Sequence, residues 1–269
     1  MPLTYKRKNK LWSWLVLAGM VLTVTLNYLA TTLPLFGRST AEISDGLPNL
    51  FVPAGITFSV WGVIYLGLML FTAYQLLLVK KKPELPPLWL QRIVPYVLLT
   101  HLANSLWIIA WHALWYVPSL LLMVVLFASL IRINLYLGWS DEQYGRLTYV
   151  LAVVPFSLYA GWITVALPAN ITAVFVAYGF TDLVLGPVIW AAAISAVAAM
   201  LGILAVLVCR DVAYSLVIAW ALFGIALKRS ADEPFLTGWA AALCFALLLL
   251  IALTVARKIY RLYYKKFWA

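Results

Sequence analysis

Charge is scarce in this chain. Only 10% of its 269 residues are Asp, Glu, Lys or Arg, and the nine acids are outnumbered by nineteen bases. A soluble domain carries roughly a quarter of its residues as these four types. So few charges cannot cover a water-facing surface, which excludes an ordinary soluble globular protein. Cysteine is equally sparse. Cys209 and Cys244 lie in or at the end of different apolar runs, so no disulfide is expected, and no metal-ligand spacing appears. The two histidines, His101 and His112, stand eleven residues apart in one run, too far for one metal site. No Asp, Glu or Lys falls near the middle of any apolar run. Ion-coupled transporters need a buried ionisable relay, so that class is disfavoured. Paired carboxylates, a Ser-His-Asp set, an HExxH and a Cys–His pair are missing too, which argues against an enzyme. Asp141 and Glu142 adjoin in an inner loop and read as solvated charges.

What the chain has is apolar length. It is 65% hydrophobic with a mean hydropathy of +0.99. Spans of about 20 apolar residues suit hydrocarbon, where every backbone polar group must be satisfied within the span. Such runs cover 11–33, 54–79, 92–114, 118–137, 147–168, 184–209, 212–227 and 235–257. The first follows Lys6, Arg7, Lys8 and Lys10 but is about twice the length of a signal-peptide core, so it is expected to stay as a helix. The second stops at Lys80, Lys81 and Lys82, and the fifth closes near Pro168. Residues 169–183 are apolar over Ile171–Phe180 but too short to span, and read as a re-entrant or interfacial piece. Asp182 then reads as a helix N-cap.

The net charge of +10 does not point to nucleic acid, because the bases cluster between apolar runs with no aromatic-interleaved basic face. With eight spans and the N-terminus inside, sixteen of the nineteen Lys and Arg residues fall on the inner side; only Arg38, Lys228 and Arg229 fall outside. Arg132 lies near the inner end of its helix and can snorkel. The expected fold is an all-α membrane protein, a polytopic bundle of about eight transmembrane helices with both termini cytoplasmic.

Thirteen tryptophans and fifteen tyrosines are more than interfacial belts require, since several lie deep within spans. At helical spacing, Phe58, Trp61 and Tyr65 fall within about 60° of one another. Asn104, Trp107 and Trp111 share a similar arc on the third span, flanked by His101 and His112. Pro155, Tyr159 and Trp162 cluster on the fifth. Three such stripes could wall a cavity for a planar, mostly apolar ligand. They could equally be packing, and Asn104 could simply bond a neighbouring helix.

These residues also carry a resemblance. The stretch from Val52 to Leu68, with Pro53, Phe58, Trp61 and Tyr65 in register, resembles the second helix of the TspO/MBR family, the tryptophan-rich sensory proteins. His101-Leu-Ala-Asn104-Ser-Leu-Trp107 is similar to the family's Asn-x-x-Trp, and Val154-Pro155-Phe-Ser-Leu-Tyr159 to its helix-five motif. Together they span roughly residues 12–170. Val52 replaces the family's first proline, Tyr159 its helix-five tryptophan, and Ile163 a small residue near the pocket. The resemblance implies a five-helix unit over 1–170, with a further three-helix module over 184–269 that the short family members lack. That module is rich in small residues which permit close helix approach, among them Ala191, Ala192, Ser195, Ala198, Ala199 and Gly202.

It implies a non-enzymatic receptor or sensor whose pocket takes a tetrapyrrole or similar flat hydrophobic molecule. The expected lining is Phe58, Trp61, Tyr65, Asn104, Trp107, Trp111, Tyr159, Trp162 and Ile163, with Asn104 as polar anchor. No cofactor is expected beyond a porphyrin or other tetrapyrrole held as ligand. The expected partners are the lipid bilayer and that ligand, with a homodimer left open and no nucleic acid. The alternative is a permease for a neutral or lipophilic solute. A bacterial plasma membrane is the expected location, because no organelle-targeting segment precedes the first span.

Overall fold

Every long apolar run becomes a helix. The computed structural model describes residues 3–33, 37–137, 144–180 and 185–267. Eight helical segments are long and apolar enough to cross a membrane. They are α1 (Leu3–Thr32), α3 (Val60–Lys81), α4 (Leu88–His112), α5 (Tyr116–Leu137), α7 (Val154–Ala177), α8 (Pro187–Leu204), α9 (Val212–Arg229) and α10 (Pro234–Phe267). Two short pieces complete the count: α2 (Thr40–Asp45) in the first outer loop and α6 (Arg146–Thr148) ahead of α7. The even number of spans puts both ends of the chain on one side. That is the side on which the sequence places most Lys and Arg.

Over the described residues 169–180, the expected re-entrant piece is instead a continuation of α7 and the turn that ends it. Pro168 sits inside α7, which runs on to Ala177. Proline ends a helix in water, but within a bundle neighbouring groups can satisfy the disturbed backbone. The carbonyl that Pro168 leaves without its helical donor is that of Thr164, one turn back, while beyond the proline the Thr172 hydroxyl donates to the Pro168 carbonyl at 2.9 Å and Asn49 Nδ2 to the Ala169 carbonyl at 3.0 Å. The fifth span is therefore lengthened and no span is added, so the side assignment of every later loop stands. Asp141, Glu142 and Asp182 lie outside the described residues.

Pro155 also leaves a mark upstream. Its ring nitrogen has no hydrogen to donate, and the turn before it, Tyr149–Val153, widens to a π-helix with Val154 N–H reaching back to the Tyr149 carbonyl. The first outer loop, expected to be merely polar, instead folds its α2 around a capping box. Ser39 N–H donates to Glu42 Oε2 at 2.6 Å, and Glu42 N–H donates to the Ser39 hydroxyl at 3.2 Å.

Packing follows from which faces are least greasy. Helices α1, α4, α5, α7 and α3 touch in that order and close back on α1, making a ring of five. Helix α9 leans on α7 from outside the ring, and α8 and α10 pack on α9 and on each other. The small residues of α8 serve that last contact: a Cβ at Gly202 would meet Leu247 at 2.9 Å. Polar side chains pin the ring internally, as expected where lipid supplies no competing water. Asn134 Nδ2 donates to the Phe156 carbonyl at 3.2 Å, and Ser13 Oγ donates to Gln75 Oε1 at 2.8 Å.

Candidate functional site

The aromatic stripes meet in the outer half of the ring. After Pro53 the chain makes a short 3₁₀ turn, Gly55–Ser59, and enters α3. That entry places Phe58 and Trp61 one turn apart, facing α7. Trp61 is the hub. It stacks on Tyr65 with ring centroids 5.3 Å apart, and meets Tyr159 and Trp162 edge-on at 5.6 and 6.1 Å. Phe58 packs edge-on against Trp162 at 5.6 Å. Across the space, Trp107 stacks on Trp111 at 5.9 Å. Offset and edge-on pairs are the favoured aromatic geometries.

Two spaces adjoin the cluster. A cleft of about 620 Å³ opens between α1, α3 and α4, lined by Asn27, Tyr28, Phe58, Trp61, Tyr65 and Trp107 among others. Its size lies within the range of about 300–1,000 Å³ common for small-molecule sites. A smaller space of about 60 Å³ lies on the α5–α7 side and shares Thr40, Phe58, Trp61 and Trp107 with it. Trp111, Trp162, Met123 and the outer loop residues Ser44, Asn49 and Pro53 complete the smaller space.

Of the nine expected lining residues, six border these spaces: Phe58, Trp61, Tyr65, Trp107, Trp111 and Trp162. Asn104, Tyr159 and Ile163 border neither and lie buried behind the aromatic wall. Asn104 is committed to its neighbours. Its Nδ2 donates to the Tyr159 hydroxyl at 2.9 Å, and its Oδ1 accepts from Asn27 Nδ2 at 2.8 Å. One N–H and one lone pair of the carboxamide remain. Pro155, in the same stripe, serves packing: a Cβ at Gly67 would meet its ring at 3.0 Å. His101 is helix glue as well, with its Nδ1 3.2 Å from the Thr23 hydroxyl and Gly19 lying against its ring. His112 Nε2 lies 2.9 Å from the Thr40 hydroxyl, holding α2 over the outer end.

The residues that sequence reasoning missed come from two places. Asn27 carried a readable signal, a carboxamide inside an apolar run. The loop residues Thr40, Ser44, Asn49 and Val52 carried none, because a non-periodic segment gives no indication of what it faces.

Electrically the site is neutral but not fully satisfied. Among the described residues that line the two spaces, the buried indole N–H groups of Trp107 and Trp162 have no hydrogen-bond partner. The Tyr65 hydroxyl has the Asn104 carboxamide beside it but no bond of good geometry. Leaving such a group unpaired in a dry interior costs roughly 1–3 kcal/mol. The only shifted carboxyl nearby lies outside the spans. Glu42 is held below the usual carboxylate range by accepting the Ser39 backbone N–H and hydroxyl, with Arg38 adding a smaller pull. Among the described residues no group of His, Cys, Asp and Glu is placed to hold a metal ion.

No curated protein and no solved structure matches the chain. A family model described as "TSPO-like protein" matches residues 13–254. That range takes in the aromatic cluster and reaches well into α10, so the C-terminal helices fall within the match. With its helices apolar and long enough to span, this multi-pass membrane protein belongs to the TSPO-like family.

Proposed function

We propose that the protein is a non-catalytic membrane receptor that binds a flat, mostly apolar ligand of the tetrapyrrole type against Trp61. One observation carries the reading. The indoles of Trp61 and Trp107 border both the larger cleft and its smaller neighbour, and the same wall holds two buried indole N–H groups without partners, on Trp107 and Trp162. A ligand with a broad π-face would stack on the indoles, and acceptor atoms at its edge would meet those donors once the rings turn toward it. Asn104 and Tyr159 serve as the rigid backing of that wall, with Asn104 contributing its remaining N–H once a ligand reaches it. Ile163 shapes the wall from behind. The ligand is held noncovalently and is no resident cofactor. The setting is a bacterial plasma membrane, and a homodimer is compatible with the lipid-facing surfaces of α1 and α10.

The test is quenching of intrinsic tryptophan fluorescence by protoporphyrin IX in purified protein. Trp61→Ala should abolish saturable quenching while the helical circular dichroism persists. Saturable quenching of equal affinity in that variant would sink this site.

A second reading, a permease for a neutral or lipophilic solute, draws on the seam between α1 and α3. Below the outer cleft lies a groove of about 330 Å³ lined by Met20, Val24, Met69 and Thr72. Below that is a polar space of about 150 Å³ lined by Lys8, Ser13, Gln75 and Gln91. Three spaces in series could pass a solute if the Ser13–Gln75 contact opened. Flux of a lipophilic solute into proteoliposomes would favour this reading, whereas saturable binding without flux favours the receptor.

A further inference from the structure

The start of α3 carries the pocket wall yet has no cap of its own. Ala54, ahead of the Gly55–Ser59 turn, makes no side-chain capping bond, and neither does Ser59 ahead of α3. The first N–H groups of a helix need partners from outside it. One partner here comes from α9, which lies outside the five-helix ring, and α9 also adds a second donor to a carbonyl of the turn that already accepts the Val60 N–H. Ala54 N–H donates to the Gly224 carbonyl at 2.9 Å, and the Trp220 indole N–H donates to the Thr57 carbonyl at 3.0 Å. The fit leaves no slack. A Cβ at Gly224 would stand 2.0 Å from the Thr57 hydroxyl and 3.0 Å from the Pro53 ring. Farther out, Lys228 pairs with Asp45 on α2, the short helix whose Thr40 and Ser44 border the smaller space.

Helix α9 is itself firmly seated. The Tyr214 and Thr164 hydroxyls lie 2.7 Å apart, and Gly161 lets the Tyr214 carbonyl come so close that a Cβ there would stand 2.5 Å from it. One end of α9 is thus fixed to α7, the pocket's opposite wall, while its other end holds the turn that presents Phe58 and Trp61. We propose that α8, α9 and α10 form a clamp on the ligand site: through Trp220 and Gly224 they set the position of the Pro53–Ser59 turn, and so the affinity of a cleft they do not line. This rests on the ligand reading above. Trp220 and Gly224 are positioning residues, since neither borders the cleft.

The test uses the full chain in detergent micelles, with protoporphyrin IX as probe. Trp220→Phe keeps an aromatic ring at the site but removes the N–H together with the five-membered ring that carries it; Gly224→Ala pushes the turn away. Each should weaken binding about threefold to tenfold, the worth of one lost or bent hydrogen bond. Amide hydrogen exchange should quicken over residues 51–59 and stay unchanged over α4. Gly202→Ala is the control, because it disturbs the α8–α10 contact without touching the turn. It should lower the melting temperature and leave affinity as it was.

Unchanged affinity in both turn variants, or affinity falling equally in the control, overturns the clamp. If the wild-type protein gives no saturable quenching, the tetrapyrrole reading fails and exchange decides alone. In that case unchanged exchange over 51–59 in both variants overturns the clamp, and quickened exchange confined to that segment upholds the coupling.

Discussion

Replacing Asn104 by leucine removes one side chain and breaks the link among three helices. Asn27 of α1, Asn104 of α4 and Tyr159 of α7 form a chain of two hydrogen bonds, 2.8 and 2.9 Å long. Leucine is close to asparagine in size, so little cavity is left and the cost is mainly polar. Asn27 Nδ2 keeps its bond to the Thr23 carbonyl at 2.9 Å. Tyr159 fares worse. Its hydroxyl is fully enclosed, and Asn104 is its one hydrogen-bond partner among the described residues. Side-chain bonds within membranes average about 0.6 kcal/mol and reach about 1.7, and an orphaned buried hydroxyl adds roughly 1–3. Asn104→Leu should therefore lose about 2–3 kcal/mol.

The sharper expectation concerns the pair. Tyr159→Phe alone should cost about 0.6–1.5 kcal/mol, since it deletes the phenol and strands one N–H of Asn104. In Asn104→Leu/Tyr159→Phe the stranded hydroxyl is gone, so the double variant should be at least as stable as Asn104→Leu. Unfolding in mixed micelles of rising sodium dodecyl sulfate, followed by tryptophan fluorescence, would measure all four corners of the cycle. Additivity to within about 0.3–0.5 kcal/mol would refute the network, because uncoupled sites add to that tolerance.

Other outcomes follow from single contacts. Gly161→Ala forces a methyl against the Tyr214 carbonyl and should destabilise by about 1–3 kcal/mol in the same assay; no loss would mean that α7 and α9 are not packed so closely. Lys228→Ala should cost under about 1 kcal/mol, because its partner Asp45 is half exposed and solvent screens the pair. A large loss there would place the docking of α9 on charge instead of on the Gly224 contact. Acid should loosen α2. Glu42 has its carboxyl lowered in the folded cap, so its contribution is present above the ordinary carboxylate range and lost as pH falls through the lower folded value. Protection factors over residues 39–46, which correct exchange for its base-catalysed intrinsic rate, should therefore fall on acidification in the wild type. Glu42→Gln should lower them already at neutral pH, and wild-type protection factors that do not change with pH contradict the cap's role.

How much of this could be read from the chain depends on what each feature answers to. The spans were legible because hydrocarbon imposes one rule on every run, and a helix is the one open chain conformation that obeys it. Pro168 misled for the same reason. As a helix breaker it is judged by the rules of water, whereas inside the bundle α7 continues through it to Ala177. The aromatic wall was legible from spacing along α3, α4 and α7, since each stripe lies on one helix and periodicity is a property of one helix. Asn104 shows where that stops. Its residue type announced that a partner was needed, but that Asn27 and Tyr159 meet it follows only from the packing of α1 and α7 around α4.

Gly224 lies further still from anything local. It reads as one more small residue in an apolar run, and its meaning comes from Thr57 and Pro53, which reach it from across the fold. The same holds for Trp220, whose indole looks like any interfacial tryptophan until its N–H is traced to the Thr57 carbonyl. A residue that acts on a site through another segment leaves its signal in that segment. Here that segment is the Gly55–Ser59 turn, which presents Phe58 and Trp61 without a side-chain cap and takes a partner for the Ala54 N–H from α9.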